Sequence, residues 1–497
     1  MLSGFDKYLL IIVCLLGSLM RYIYGYAYEP WTQAPDHLAW ELILEEGGFQ
    51  YSHLIHYPHE GGTILVSLLS RFFELFTPFS SLTMVAFLLD FLVRFCQLKI
   101  VDALFNRTTA LWFGVWSVLA FPVIIPWATV NFGLHSIASI FPFLLIYLLS
   151  REKKTAKDQL ISGALLGLSV WFSYINVVLL PIYFGYKLIQ REKIADLFYS
   201  SVGLLGILTL HFCIRTFSDS GFHLNEHAIT AIRGEGLLNN DLHLWTQLRA
   251  IPAVLANASL SIPSTSQLMP LWRSIFYGLM LLATFGFFRS FRKQHLNPAV
   301  RIILPLLVLF MVIYVISPFY YPNDKGTHVS FRHLTYILPL FSLFIIHGLR
   351  HIPRVHSLLL VLFVGIGTWR GLQLFTADPP KQQDLMIKAA GWTIGTKFGH
   401  DPRLLEAIIC HHPEQQKFLT QGVSWGISVA LFHDLNMPED RIAIEARVDQ
   451  LEELLDQLTL DKNDLTEGVH FAFSDQVSPK LDPIILIVFM PKNNPSN

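Results

Sequence analysis

The run Val300–Ser317, VRIILPLLVLFMVIYVIS, decides the fold class of this chain. It contains one charged side chain, Arg301, and as a helix it is long enough to cross the hydrocarbon core of a bilayer. Comparable apolar runs recur along the sequence. They lie near residues 8–27, 82–104, 109–126, 134–150, 158–174, 175–190, 197–216, 271–288, 300–317, 333–349 and 356–375. The sequence therefore predicts a mainly α protein, a polytopic membrane helical bundle of about eleven spans.

The composition agrees with a chain that is surrounded by membrane lipids. Hydrophobic residues make up 53% of the 497 residues and charged residues only 15%, whereas soluble domains average about 25% charged residues. Apolar residues in such excess cannot all be buried in a soluble core, so part of them must face lipid. The formal net charge of −1 gives no reason to expect a nucleic-acid partner.

The charged residues between the apolar runs predict the orientation of the chain. With the N-terminus in the cytoplasm, every predicted inner loop is basic, as the positive-inside rule requires. These loops contain Arg107, Arg151, Lys153, Lys154, Lys157, Arg191, Lys193, Arg289, Arg292, Lys293, Arg350 and Arg354. The first predicted outer loop, Tyr28–Glu60, contains no Lys or Arg. An odd number of spans then places the C-terminal tail outside the cytoplasm.

The tail differs in composition from the rest of the chain. We predict two domains, a multi-span membrane domain over 1–375 and a soluble domain over 376–497. Val448, Leu451, Leu455 and Leu458 recur at spacings of three and four, which predicts an amphipathic helix. The apolar run Ile484–Phe489 is bounded by prolines and predicts a buried strand. We therefore expect a small C-terminal α+β domain.

The first outer loop is rich in side chains that suit polar chemistry beside a membrane. Its carboxylates and histidines are Glu29, Asp36, Glu41, Glu45, Glu46, Glu60, His37, His53, His56 and His59. A carboxylate there can act as general base on an acceptor hydroxyl or amine. Two alternatives stay open, a solvated connector and a weak divalent-metal site formed by His56, His59 and Glu60. After the loop, Ile64–Phe76 is predicted to be a helix that lies in the membrane interface.

Two short segments resemble one group of membrane enzymes. Asp36 stands soon after the first apolar run, and FRHLTYILPL, Phe331–Leu340, opens a late run at the predicted outer face. The outer turn PWATVNFGLH at 126–135 contains Asn131 and His135 but no carboxylate. The layout over 1–375 resembles the GT-C class of membrane glycosyltransferases, the group of the protein O-mannosyltransferases and the lipid A aminoarabinose transferase. That group often has an Asp-Glu pair where this chain has Asp36-His37, and an acidic residue in the turn where this chain has Asn131.

The resemblance implies an enzyme that transfers a sugar from a polyprenyl-phosphate donor at the outer membrane face. It implies Asp36 as the base of an inverting displacement, with Glu41 and Glu60 as substitutes, and Arg332 as the donor-phosphate ligand. A guanidinium suits that role because it stays charged and binds phosphate bidentately. The other predicted substrate-binding residues are Lys325, His333, Asn131, His56, His59 and Trp31.

The resemblance leaves the acceptor open between a lipid, a glycan and a protein, and it implies no certain cofactor beyond the divalent metal already considered. It fits a bacterial inner membrane best.

Two functions of other classes compete with it. A transporter would place ionisable groups inside spans, where Asp90 and Arg94 are the main candidates, although their spacing of four also lets them pair on one helix face. The second competing function is a non-catalytic scaffold that presents the C-terminal tail outside the cell.

Overall fold

The computed structural model describes most of the chain as helices and the connections between them. The described residues are 8–9, 11–19, 23, 35–55, 61–76, 81–119, 134–151, 155–218, 244–260, 269–293, 298–316, 333–352, 356–375, 383–432 and 441–475. They contain no strand. The mainly α class predicted from the sequence is therefore confirmed for these residues, whereas the predicted strand Ile484–Phe489 lies outside them.

The helices fall into two compact units, which we call the bundle unit and the tail unit. The bundle unit comprises Met1–Ala27, His59–Cys213 and Leu237–Asp378, and the tail unit comprises Tyr28–Pro58, Ile214–Gly236 and Pro379–Asn497. In chain order the helices are α1 Pro35–Glu46, α2 Gly62–Glu74, α3 Ser81–Leu104, α4 Arg107–Leu119, α5 Ile140–Ser150, α6 Ala156–Phe172, α7 Leu179–Ile189, α8 Ile194–Ser218, α9 Leu244–Leu260, α10 Met269–Lys293, α11 Pro298–Ile316, α12 Leu338–Arg350, α13 His356–Phe375, α14 Gln383–Phe398, α15 Pro402–His411, α16 Gln416–Phe432, α17 Arg441–Asp456 and α18 Lys462–Asp475. The tail unit thus includes α1, from the first predicted outer loop.

Two helices of the bundle unit are long and apolar enough to cross a membrane, among the residues that the structure describes. They are Ile194–Ile214 within α8 and Pro270–Ser290 within α10, and only 17% and 33% of their apolar windows are buried. Five shorter apolar helices accompany them, at His135–Ser150, Tyr174–Ile189, Ala299–Val315, Leu338–Arg350 and Ser357–Arg370. A core helix of a soluble protein would be mostly buried, so these exposed apolar faces indicate an integral membrane protein. The count of about eleven spans stays a prediction.

Helix α2 has its small polar residues inside and its large apolar residues outside. Thr63, Ser67 and Ser70 are fully buried, while Leu68 and Phe72 are 44% and 55% exposed. A helix on the surface of a soluble protein shows the opposite pattern. Small polar side chains at helix contacts with apolar side chains outward are typical of helices that face lipid. The helix predicted near Ile64–Phe76 is therefore present, and its placement in the interface stays a prediction.

Helix α9 was not predicted as a helix from the sequence. Its residues lie between the predicted spans 197–216 and 271–288, and the predicted orientation makes this connection an outer loop. Instead α9 packs on α10, where Trp272 Nε1 donates to the carbonyl oxygen of Ala256 at 2.8 Å. Asn257, which begins a glycosylation sequon, is fully buried and accepts a hydrogen bond from Arg273 Nε at 3.1 Å. The folded chain therefore does not present this asparagine for glycosylation.

Helices α6 and α8 pack closely through glycines, and this contact gives a first prediction. A Cβ atom on Gly163 would overlap the carbonyl oxygen of Ser200. The Gly163→Ala variant is expected to lose about 1–3 kcal/mol of unfolding free energy, because overpacking forces the two helices apart. Gly206→Ala on α8 is the matched control, since nothing lies within 4 Å of its Cβ position. Thermal unfolding of both variants in detergent checks this, and equal midpoints would contradict the close packing.

The tail unit has its own hydrophobic core, to which α1 contributes. Helix α16 is the centre of this core, and α14 and α18 pack on either side of it. Val448, Leu451 and Leu455 on α17, with Leu458 just after it, are all buried in the core. The amphipathic helix that the sequence predicted there is therefore confirmed.

Candidate functional site

Three rings from distant parts of the sequence meet in the bundle unit. The imidazole centroids of His135 and His333 lie 4.5 Å apart, and the Tyr174 ring lies 6.4 Å from that of His135. Both histidines are buried. His135 begins a short helical turn before α5, Tyr174 begins a 3-10 turn before α7, and His333 precedes α12. The N-terminal ends of three helices therefore converge on this set, which we call the histidine cluster.

Hydrogen bonds fasten the segment that carries His333. The Tyr336 hydroxyl donates to Asn176 Oδ1 at 2.9 Å, and Asn176 Nδ2 donates to the carbonyl oxygen of Ser169 at 2.8 Å. Tyr336 and Asn176 are fully buried, and the ring of Phe310 stacks on Tyr336 at 5.4 Å. A buried amide that is satisfied at both ends holds its partners firmly. These bonds fix the backbone that directly follows Arg332 in the sequence.

The residue before His135 adopts a strained backbone conformation. Leu134 has a φ angle of 45°, in the left-handed region, which costs a non-glycine residue about 1–2 kcal/mol. It is buried, and its side chain lies close to Gly62 at the start of α2. Such conformations persist where the surrounding structure holds them, and they concentrate at functional sites. The geometry at Leu134 thus marks the histidine cluster as a candidate site.

A buried ionic network connects α3 to the turn that carries His135. Arg94 pairs with Asp90 at 3.3 Å and its Nη2 donates to Ser136 Oγ at 3.4 Å. Asp90 also accepts a hydrogen bond from Ser18 Oγ at 2.7 Å, and Gln97 Nε2 donates to Ser139 Oγ at 2.9 Å. The pairing of Asp90 with Arg94 on one helix face, which the sequence indicated, is confirmed. The ion pair and its hydrogen bonds therefore give Asp90 and Arg94 a structural role. A transporter would instead need such charged groups for transport.

An apolar groove opens between α5, α6 and α7. It is shallow, with an enclosed volume of only about 10 Å³, and it is lined by Phe141, Leu144, Leu145, Leu148, Leu165, Leu166, Ser169 and Leu179. Ser169 belongs both to this groove and to the hydrogen-bond chain that reaches Tyr336. This volume is far below the roughly 300–1,000 Å³ of a complete ligand pocket. The groove is therefore a shallow apolar surface and not a formed pocket.

Helix α1 of the tail unit carries two of the predicted catalytic residues. Asp36 lies in its first turn, with a side chain outside the described part of the structure, and Glu41 is half-buried. His37 is completely buried, and neither of its ring nitrogens has a hydrogen-bond partner among the described residues. Burial lowers the pKa of His37 to about 3, so its imidazole is neutral at neutral pH. It therefore supplies neither the second carboxylate of an Asp-Glu pair nor a positive charge beside Asp36.

The structure describes the side chains of only two predicted site residues. His333 lies in the histidine cluster of the bundle unit, and Glu41 lies on α1 of the tail unit. The side chains outside the described residues are those of Trp31, Asp36, His56, His59, Glu60, Asn131, Lys325 and Arg332. The roles assigned to all ten residues stay predictions.

Sequence reasoning did not select His135, Tyr174 or Asn176 as site residues. His135 was visible as a polar residue in the outer turn, but without a carboxylate beside it the turn gave no reason to prefer it. Asn176 carried a usable signal, because an amide in the middle of an apolar stretch needs a buried partner. Its partner Tyr336 stands 160 residues away, within FRHLTYILPL.

The described residues contain no group of three or more His, Cys, Asp or Glu side chains that could hold a metal ion. The weak metal candidates His56, His59 and Glu60 lie outside these residues. Metal dependence therefore stays a prediction.

The sequence of this chain matches no family model and no curated protein. Its structure is similar to the crystal structure of ArnT from Cupriavidus metallidurans bound to undecaprenyl phosphate. The two chains share 12% identity with a TM-score of 0.49, over 94% of this chain and 85% of that one. A likeness at this level leaves the activity to be argued from the residues themselves.

The bundle unit brings together the parts that an amphiphilic ligand requires. The buried imidazoles form a polar group, and Phe141 of the apolar groove stands six residues after His135 in the sequence. Polar groups near an apolar surface suit a lipid with a polar head.

Proposed function

We propose that this protein is a membrane glycosyltransferase that moves a sugar from a polyprenyl-phosphate donor to an acceptor at the outer face of the membrane. The observation that carries the proposal is the contact of His333, from FRHLTYILPL, with His135 in the histidine cluster, in the same unit as the apolar groove. In this proposal the groove holds part of the polyprenyl chain and Arg332 binds the phosphate. The acceptor is a lipid, a glycan or a protein.

Each proposed residue has one chemical task. Asp36 takes the proton from the acceptor hydroxyl or amine, and that oxygen or nitrogen forms a bond to the anomeric carbon of the sugar. The bond from the anomeric carbon to the phosphate oxygen breaks, and polyprenyl phosphate leaves with the electron pair. Arg332 stabilises the negative charge that grows on this phosphate. One displacement occurs, so the configuration at the anomeric carbon inverts.

A binding measurement tests the role of Arg332. Arg332→Gln is expected to weaken binding of undecaprenyl phosphate about 10- to 100-fold, since a charge-assisted contact contributes about 1.5–3 kcal/mol. Arg332→Lys should fall between this variant and the wild type, because it keeps the charge but loses the bidentate geometry. The measurement is fluorescence or calorimetric titration of the purified protein in nanodiscs.

Arg151→Gln is the matched control for this titration. Arg151 is exposed and lies in a predicted inner loop, away from the donor in the proposed orientation. Its replacement should leave the affinity unchanged. Equal affinity of Arg332→Gln and wild type, or equal weakening in the control, would remove the phosphate-binding assignment.

A further inference from the structure

Helix α1 is built into the tail unit by its apolar face. Ala39, Leu42 and Ile43 are almost completely buried and belong to the same hydrophobic core as the tail helices α14 and α15. Their partners in this core include Ile387, Ala390, Ile394, Leu405, Ile408 and Ile409. A helix of twelve residues is marginal in water when isolated, because few of its hydrogen bonds repay the cost of nucleation. The tail helices therefore supply most of the stability of α1.

Two histidine–carboxylate contacts join the C-terminal end of α1 to the C-terminal end of α15. His411 Nδ1 lies 2.9 Å from Glu46 Oε1, and His412 Nε2 lies 3.2 Å from Glu45 Oε2. Glu414 adds a third carboxylate 4.0 Å from His412 Nδ1. Carboxylates near the C-terminus of a helix are unfavourable, because that end carries partial negative charge. Where an imidazole is protonated, its charge offsets this effect on α1 and is itself favourably placed at the end of α15.

The hold on α1 reaches its first turn, where Asp36 stands. A helix with one face in a core and its far end in ion pairs moves as a single body with the unit that holds it. We propose that the tail unit acts as the platform that positions Asp36, and that His411 and His412 are positioning residues that act through Glu46 and Glu45. The inference rests on the proposed function, in which Asp36 is the base.

The carboxylates around His412 make the contact between α1 and α15 depend on pH. The Glu45 carboxylate, with further help from Glu414 and Glu46, raises the pKa of His412 above its ordinary value of 6.5. These carboxylates come from α1 and from the turn before α16, the elements that face His412. Because this pKa is raised, the ion pair of His412 with Glu45 is fully formed below pH 6.5, the ordinary pKa of histidine. The ion pair is lost as the pH rises through the raised pKa of His412. The hold on α1 should therefore weaken on the alkaline side.

The experiment compares the double variant H411Q/H412Q with the full-length wild type at pH 6. We expect the maximal rate of sugar transfer to fall about 3- to 30-fold, because small misplacement of a catalytic group slows the reaction. The donor KM should stay unchanged, since Arg332 belongs to the bundle unit. Hydrogen exchange of the α1 amides should become faster, while that of α16 stays slow. The donors are radiolabelled undecaprenyl-phosphate mannose and undecaprenyl-phosphate aminoarabinose, each tested with membranes as acceptor.

Two further variants sharpen the test. H412K keeps a cation above the pKa of histidine, so its transfer rate should decline less than that of the wild type as the pH rises. D456N removes an exposed tail ion pair, Lys462 to Asp456 at 3.1 Å, that does not involve α1. It should match the wild type in rate and in exchange.

The outcomes separate this inference from the proposed function. Faster exchange of α1 together with a lower maximal rate supports the positioning role. Faster exchange with an unchanged rate overturns it, and so does unchanged exchange in H411Q/H412Q. Absence of any transfer by the wild type, with undecaprenyl phosphate still bound, overturns the proposed reaction and the positioning of a base with it.

Discussion

Replacing Asp36 by asparagine is expected to reduce sugar transfer by a factor of about 10²–10⁴, the usual contribution of a general base. The amide keeps the size of the carboxylate but cannot accept the proton of the acceptor. Binding of undecaprenyl phosphate should stay at the wild-type level, because the base is not needed to hold the donor. The measurement is the release of radiolabelled sugar from the lipid-linked donor onto acceptors in isolated membranes, beside titration with undecaprenyl phosphate.

The same assay on Glu41→Gln and Glu60→Gln decides between the three carboxylates. If Asp36 is the base, these variants keep most of the wild-type rate. Full activity of Asp36→Asn with loss in Glu41→Gln would move the base to the middle of α1. A loss of donor binding in Asp36→Asn would mean that the residue supports the fold or the donor site rather than proton transfer.

The helices that the sequence predicted best are those with abrupt polar boundaries. Helix α13 spans His356–Phe375 and α3 spans Ser81–Leu104, within one residue of their predicted bounds. Helix α9 was not predicted, and its sequence shows why. Gln247, Arg249 and Pro252 interrupt its apolar run, and only its C-terminal part, 254–259, is buried, where the helix packs against α10 and α11. Burial by neighbours leaves no periodic signal when the buried residues are themselves mixed in polarity.

The candidate site was less accessible to sequence reasoning than the helices. FRHLTYILPL could be placed at the outer face by its position in a late run, but nothing local indicated that His333 would contact His135. The spacing of apolar residues shows which face of a helix is buried, but it does not show which helix packs against that face. The same limit hid the association of α1 with the tail, because Ala39, Leu42 and Ile43 stand about 350 residues from their partners near Ile394. Tertiary packing alone assigns the loop that carries Asp36 to the tail unit.

Removing the carboxylate of Asp90 is expected to destabilise the bundle unit by about 3–5 kcal/mol, the usual cost of breaking a buried ion pair from one side. Asp90 and Arg94 are 4% and 2% exposed, so the guanidinium in Asp90→Ala would keep its charge without its ion-pair partner in a setting that water barely reaches. Ser18 would also lose the 2.7 Å hydrogen bond that its hydroxyl donates to the Asp90 carboxylate. The measurement is the thermal or denaturant midpoint of the purified variant in detergent.

A double variant distinguishes the ion pair from simple loss of packing. Asp90→Leu combined with Arg94→Met removes both charges and fills the space with apolar side chains, so it should recover most of the stability that Asp90→Ala loses. The contact between Arg94 Nη2 and Ser136 Oγ disappears in the double variant. If that contact orders the turn at His135, undecaprenyl phosphate should bind more weakly to the double variant even though it is stable. Recovery of stability together with wild-type affinity would show that the network supports the fold alone, and failure to recover stability would show that the charges themselves are needed there.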